Sequence, residues 1–82
     1  MVKKSDREAA WDRASKIRGK NPNLHRRDEL GNPMYKPAYG KGGGTGWEID
    51  HRNPKAKGGT DNPRNLRALN TTANRRKGDK AK

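Results

Sequence analysis

Cysteine and phenylalanine are both missing from the 82 residues, and large apolar side chains are scarce, with Leu, Ile, Val and Phe together contributing only 7. Without cysteine there are no disulfides, no cysteine-ligated zinc, no redox motif and no thiol nucleophile, and the two histidines cannot close a structural zinc site by themselves. No apolar run approaches the roughly 20 residues that a membrane helix needs, and no hydrophobic stretch follows the lysines of the N-terminus. The expected location is therefore the cytoplasm, where the glycosylation sequon at Asn70 to Thr72 has no meaning. By composition the chain sits near disordered proteins, so a fold would draw on something beyond an apolar core, such as a metal ion or a polyanionic partner.

What the chain has in abundance is positive charge: 21 Lys and Arg against 9 Asp and Glu, a net +12 with an isoelectric point near 10.6. Cationic side chains that neutralise backbone phosphates release condensed counterions, and this alone gives non-specific nucleic-acid binding in the ~0.1 mM to 1 µM range. The charge is spread evenly, since residues 1–41 carry 11 basic and 5 acidic side chains and residues 42–82 carry 10 and 4. An even spread argues for one domain over 1–82 with a broadly positive surface, apart from a frayed basic end at 80–82.

Ser5 and Glu8 have the spacing of a capping box, and the helix formers behind them predict a helix over 6–18 ending at Gly19, with Ala10, Trp11, Ala14 and Ile17 on its apolar side. Residues 24–28 and 33–36 are expected to pair as a short hairpin around Gly31 and Asn32, which completes an N-terminal segment reaching residue 46. The glycine-rich run from Gly40 to Gly46 lacks the Gly-Lys-Ser/Thr that opens a helix in phosphate loops and reads as a flexible connection. Trp47 to His51 alternates as a half-buried strand stopped by Pro54, residues 55–63 are turn formers, and Asn65 to Leu69 alternates again. Thr71 or Thr72 then caps a second helix running to about Lys77 and ending at Gly78. The class is α+β, and the order strand, long polar loop, strand, helix can bring Asp50, His51 and Asn74 to one pocket, provided the backbone twists where the strand ends.

Asp50-His51 with Pro54, the Gly58-Gly59 pair, Asn65-Leu66, Asn74 and a trailing Lys77-Gly78 together resemble the HNH nucleases of the His-Me finger (ββα-metal) group. From His51 it is 14 residues to Asn65 and 23 to Asn74, spacings similar to those of the HNH domain in RNA-guided nucleases. The likeness covers 47–79 closely, while Arg27, Asp28 and Gly31 resemble more loosely the segment that precedes the motif in small phage-type and bacterial members.

The resemblance implies a DNA endonuclease that hydrolyses phosphodiesters with one divalent ion, leaving 5′-phosphate and 3′-hydroxyl ends. It assigns His51 as the base that takes a proton from water, a task suited to an imidazole, which ordinarily titrates near ~6.5. Asn65 joins it in the catalytic set by tethering the loop that holds His51. Asp50 and Asn74 would supply a carboxylate and an amide carbonyl to the metal, hard oxygen donors that favour Mg²⁺ or Mn²⁺ over zinc or nickel. Many members carry a structural zinc on two cysteine pairs, and this Cys-free chain is expected to have none. Glu48, three residues before His51, is an acidic neighbour whose role stays open, because Gly44 stands where colicin-type relatives have a phosphate-binding arginine. Arg52, Lys55 and Lys57 after the base, with Arg67, Arg75, Arg76 and Lys77, are the expected contacts to the DNA backbone.

Composition alone keeps a second reading open, a non-catalytic basic nucleic-acid-binding protein. His25 has no partner in any motif and reads as a surface or hairpin residue, and Trp11, Trp47, Tyr35 and Tyr39 read as core rather than as base-stacking platforms. No base-reading module accompanies the motif, so specificity would come from a partner protein or a homodimer. The setting expected from the resemblance is a bacterial cell or a phage-infected host.

Overall fold

The computed structural model describes residues 3–77; the expected helix stop at Gly78 and the frayed end at 80–82 lie outside the described residues. Helix α1 (Lys4–Arg13) leads into a three-stranded antiparallel sheet of β1 (Ser15–Lys16), β2 (His25–Arg27) and β3 (Pro33–Tyr35). A separate antiparallel hairpin, β4 (Trp47–His51) with β5 (Leu66–Asn70), runs into α2 (Thr71–Lys77). The result is an α+β fold whose last three elements form the expected ββα unit.

The helix expected over 6–18 is moved at both ends. Ser5 lies inside α1 rather than capping it, the Lys3 amide donates to Asp6 Oδ2 at 3.3 Å, and Glu8 is drawn away to Lys36 Nζ at 2.5 Å. At the other end Ala14 turns to extended backbone. The buried Arg26 guanidinium takes the Asp12 and Ala14 carbonyls at 2.8 and 3.2 Å, and Ser15 and Lys16 pair with Arg27 and Arg26 instead of continuing the helix. That sheet strand is additional to the expected hairpin, which is shorter than predicted and pairs His25 with Tyr35 and Arg27 with Pro33.

In the ββα hairpin Trp47 opposes Asn70, Asp50 opposes Arg67 and His51 opposes Leu66. Asn65 is not in the strand but closes a 3-10 turn, Pro63–Asn65. The core lies between the halves, where Ala10 and Trp11 of α1, Met34 of β3, Trp47 of β4 and Ala68 of β5 pack together with Ala14, Tyr39 and Ile49 at the margin. Trp47 is central, with its ring 4.9 Å from both Trp11 and Tyr39. Each such burial contributes about 1.5–3 kcal/mol, so a few large rings carry most of a very small core. Tyr35 is the aromatic outside it, exposed and stacked on His25 at 5.2 Å.

Polar side chains complete the join. Asp28, buried in the turn after β2, accepts from the amides of Asn32 at 2.8 Å and Leu30 at 3.0 Å, and its other oxygen accepts from the Asn70 amide of β5 at 3.0 Å. The expected flexible run at Gly40 to Gly46 is pinned. Its carbonyls at Gly43, Gly44, Thr45 and Gly46 accept from Thr72 Oγ1, Asn70 Nδ2, and the Tyr35 and Thr71 amides, all at 2.8–3.0 Å. Asn70, not Thr71 or Thr72, caps α2, its Oδ1 accepting from the Thr72 and Ala73 amides at 2.9 and 3.2 Å.

Candidate functional site

The loop between β4 and β5 is built from inside. Pro54 ends the strand and offers its carbonyl to the amides of Lys57 and Gly59 at 2.9 and 3.0 Å, around a 3-10 turn over Lys55–Lys57. Gly58 then takes a left-handed φ of +90°, and a side chain on Gly59 would run into the Asn53 carbonyl oxygen, so this loop requires the glycine pair. Asn65 ties the closure from the far side. Its Oδ1 accepts from the Asn53 amide at 2.8 Å, its Nδ2 donates to the carbonyls of Asn53 and Thr60 at 3.1 and 2.7 Å, and its own carbonyl accepts from the Arg52 amide at 2.8 Å.

Folding the loop back in this way carries Asp61 to His51, the last residue of β4. His51 Nε2 lies 2.7 Å from Asp61 Oδ1, and Lys55 Nζ lies 3.2 Å from Asp61 Oδ2. The His51 hydrogen bond, and after it Lys55, hold the Asp61 carboxyl down at about 2, well below the usual aspartate range. Sequence reasoning passed over Asp61 as one more turn residue. The signal was its isolation, since it is the only acidic residue between Asp50 and Asp79 in a strongly basic stretch.

Asp50, one residue earlier, is buried and accepts from Arg67 Nε at 2.8 Å across the hairpin. Arg67 also donates to Glu29 Oε1 at 3.1 Å, and Glu29 pairs in addition with Arg52. Burial opposes the charge on Arg67, but its bonds to Asp50 and Glu29 outweigh that and raise its pKa further. Glu29, which belongs to no motif, thus ties the turn after β2 to the hairpin. Helix α2 packs against β4 and sets Asn74 Nδ2 2.5 Å from Glu48 Oε2. A carboxylate facing an amide must take the N–H, which turns the Asn74 carbonyl oxygen away from Glu48 and keeps its lone pairs for another partner.

The predicted residues thus lie on and around one strand, but the bulge expected at its end is not there: β4 pairs regularly through Asp50 and His51, whose side chains go to different partners, Arg67 and Asp61. Asp50 and His51 are its adjacent last residues, Asn74 is bound to its Glu48, and Asn65 holds the loop that leaves it. Among the described residues no group of three or more His, Cys, Asp or Glu side chains is arranged to hold a metal. Two hard oxygen donors, the Asp50 carboxylate and the Asn74 carbonyl, nevertheless suit an ion such as Mg²⁺, which takes one or two protein ligands and fills its remaining positions with water and phosphate oxygens.

The expected DNA contacts divide. Lys57, Arg75 and Arg76 are exposed cations. Arg52 and Lys55 are engaged by Glu29 and Asp61. Arg67, with its side chain only 13% exposed, is held by carboxylates and does not present a phosphate-contacting group. The side chain of Lys77 lies outside the described residues.

Residues 39–80, just over half of the chain, match the sequence profile described as HNH endonuclease. No curated protein and no solved structure matches the chain.

Proposed function

Because this chain belongs to the HNH endonuclease family, whose nucleases generally depend on a divalent metal and act on nucleic acid, we propose that it is a DNA endonuclease using one Mg²⁺ or Mn²⁺. The observation that supports this reading best is the convergence on β4: Asp50 and His51 end the strand, and the Asn74–Glu48 bond brings the amide from α2 to it. Asp50 and Asn74 would hold the ion, with Glu48 fixing which end of the Asn74 amide faces it. Once bound, such an ion supplies positive charge against the phosphate oxygens and the leaving 3′ oxygen. His51, half-exposed at the strand's end, removes the proton from the attacking water, and Asn65 keeps the loop beside it in one shape. Lys57, Arg75 and Arg76 hold backbone phosphates. The products are a 5′-phosphate and a 3′-hydroxyl. One site cuts one strand, so a monomer nicks, and a homodimer or a partner protein would be needed for a double-strand break or for sequence choice.

The test is supercoiled plasmid incubated with Mg²⁺, Mn²⁺ or EDTA, with His51→Ala alongside. Open-circle product that requires the metal and falls about 100-fold or more in the variant is expected. Plasmid that is only retarded, equally in EDTA and by His51→Ala, would establish a non-catalytic coating protein instead.

A further inference from the structure

We propose that Asp61 is a positioning residue for His51, accepting the proton on Nε2 so that the neutral ring carries its lone pair on Nδ1, the nitrogen that faces the attacking water. The inference rests on the reading of His51 as the base. Its geometry does not. An ionised carboxylate accepts and cannot donate, so across the 2.7 Å contact the hydrogen belongs to the imidazole, which fixes both the tautomer and the rotation of the ring.

The loop supports this assignment from several directions. Asn65 grips the Thr60 carbonyl at 2.7 Å, immediately before Asp61, and Thr60 Oγ1 accepts from the Asn62 amide at 3.2 Å, immediately after it. Lys55 takes Oδ2 and leaves Oδ1 directed at the ring. Asn65 therefore acts on His51 through Asp61: it shapes the loop, the loop places the carboxylate, and the carboxylate orients the base. A contribution to stability does not account for the pair, because His51 and Asp61 keep 24% and 36% of their side-chain surface exposed, and ion pairs so placed add little to folding. A negative charge beside the phosphates of a substrate also weakens its binding, so selection for DNA affinity alone would favour its absence.

The experiment combines a spectroscopic readout with turnover. In protein carrying ¹⁵N-labelled histidine, at a pH where the ring is neutral, two-bond ¹H–¹⁵N spectra distinguish a pyrrole-type from a pyridine-type nitrogen, and His51→Ala identifies the signals against those of His25. Wild type should show His51 protonated on Nε2 and bare on Nδ1. Asp61→Ala should give averaged tautomers and lower kcat about 10- to 100-fold without raising KM for plasmid. Asp61→Asn, whose single oxygen is claimed by the Lys55 ammonium so that its N–H₂ faces Nε2, should give the opposite tautomer, protonated on Nδ1, and lower kcat at least as far as Asp61→Ala, while unfolding curves for all three should nearly coincide.

A His51 tautomer unchanged in Asp61→Ala would overturn the proposal, whatever the activity, and so would a loss confined to KM. Should wild type show no metal-dependent cleavage while Asp61→Ala still scrambles the tautomer, the positioning stands and the nuclease reading falls.

Discussion

Arg26 in the N-terminal sheet and Arg67 in the β4–β5 hairpin are both drawn out of solvent, yet one is held by neutral carbonyls and the other by carboxylates. Arg26 donates to the backbone oxygens of Pro22, Asp12 and Ala14 at 2.8, 2.8 and 3.2 Å, closing the end of α1 onto the strands. Arg67 donates to Asp50 and Glu29. Carbonyls carry no net charge and have no other cation to serve, so the first arrangement is a fixed strut. The second places a positive charge on a carboxylate that the proposed function assigns to a metal, so its energetics should respond to what else binds there. Arg13 repeats the first pattern between the halves, donating to the carbonyls of Pro63 and Leu66 at 2.7 and 2.8 Å.

The contrast can be broken by substitution. Arg26→Met strips the donor from three carbonyls and should cost about 3 kcal/mol, with the loss unchanged by Mg²⁺. Urea unfolding in EDTA and in millimolar Mg²⁺ measures both parts, and a metal-sensitive loss would sink the strut interpretation. Arg67→Met removes the guanidinium from which the buried Asp50 accepts at 2.8 Å. A cost of about 2 kcal/mol is expected in EDTA, discounted from a fully buried pair because Glu29 is partly exposed, and it should shrink in Mg²⁺. Equal losses in the two buffers would mean that no cation reaches Asp50.

The smallest effect belongs to the bridge that joins α1 to the chain after β3. Glu8→Gln should cost under about 1 kcal/mol, as exposed ion pairs do. The hydrogen bond from Lys36 holds the Glu8 carboxyl below its ordinary value of 4.5, against a small opposing effect of burial. A lowered carboxyl pKa stabilises the fold above the unfolded value and loses that contribution as pH falls through the folded one. Wild type and variant should therefore differ by a constant amount between about pH 5 and 8 and converge in acid. A gap that widened below pH 4 would contradict the assignment.

The hairpin and α2 were legible in sequence because their signals are local. Trp47 and Ile49 alternate with polar residues, Pro54 stops the strand, and Thr71 to Lys77 is a short run free of breakers. The N-terminal helix was misplaced because Ser5 and Glu8 satisfy a local rule that a distant lysine overrides, and because Ser15 and Lys16 join a sheet through backbone bonds that two polar residues do not advertise. At the site, Asp50, His51, Asn65 and Asn74 stood out by spacing, whereas Asp61 and Glu29 did not. Their roles depend on loop closure and on one half of the molecule meeting the other, and no short-range pattern encodes either. The same ion pairs bury Arg67 and commit the still exposed Arg52 and Lys55 to carboxylates, so a count of basic residues overstates the free charge offered to DNA.

The two tryptophans of the chain, Trp11 on α1 and Trp47 on β4, lie with ring centroids 4.9 Å apart and planes inclined at 46°. Indole chromophores that close and that skewed share their excited states, which splits their far-ultraviolet circular dichroism into a pair of bands of opposite sign. Each partner comes from a different half, so this couplet exists only while α1 lies on the hairpin. The protein thus carries an unlabelled optical gauge of its own assembly, readable in the same cuvette in which metal, DNA or denaturant is added.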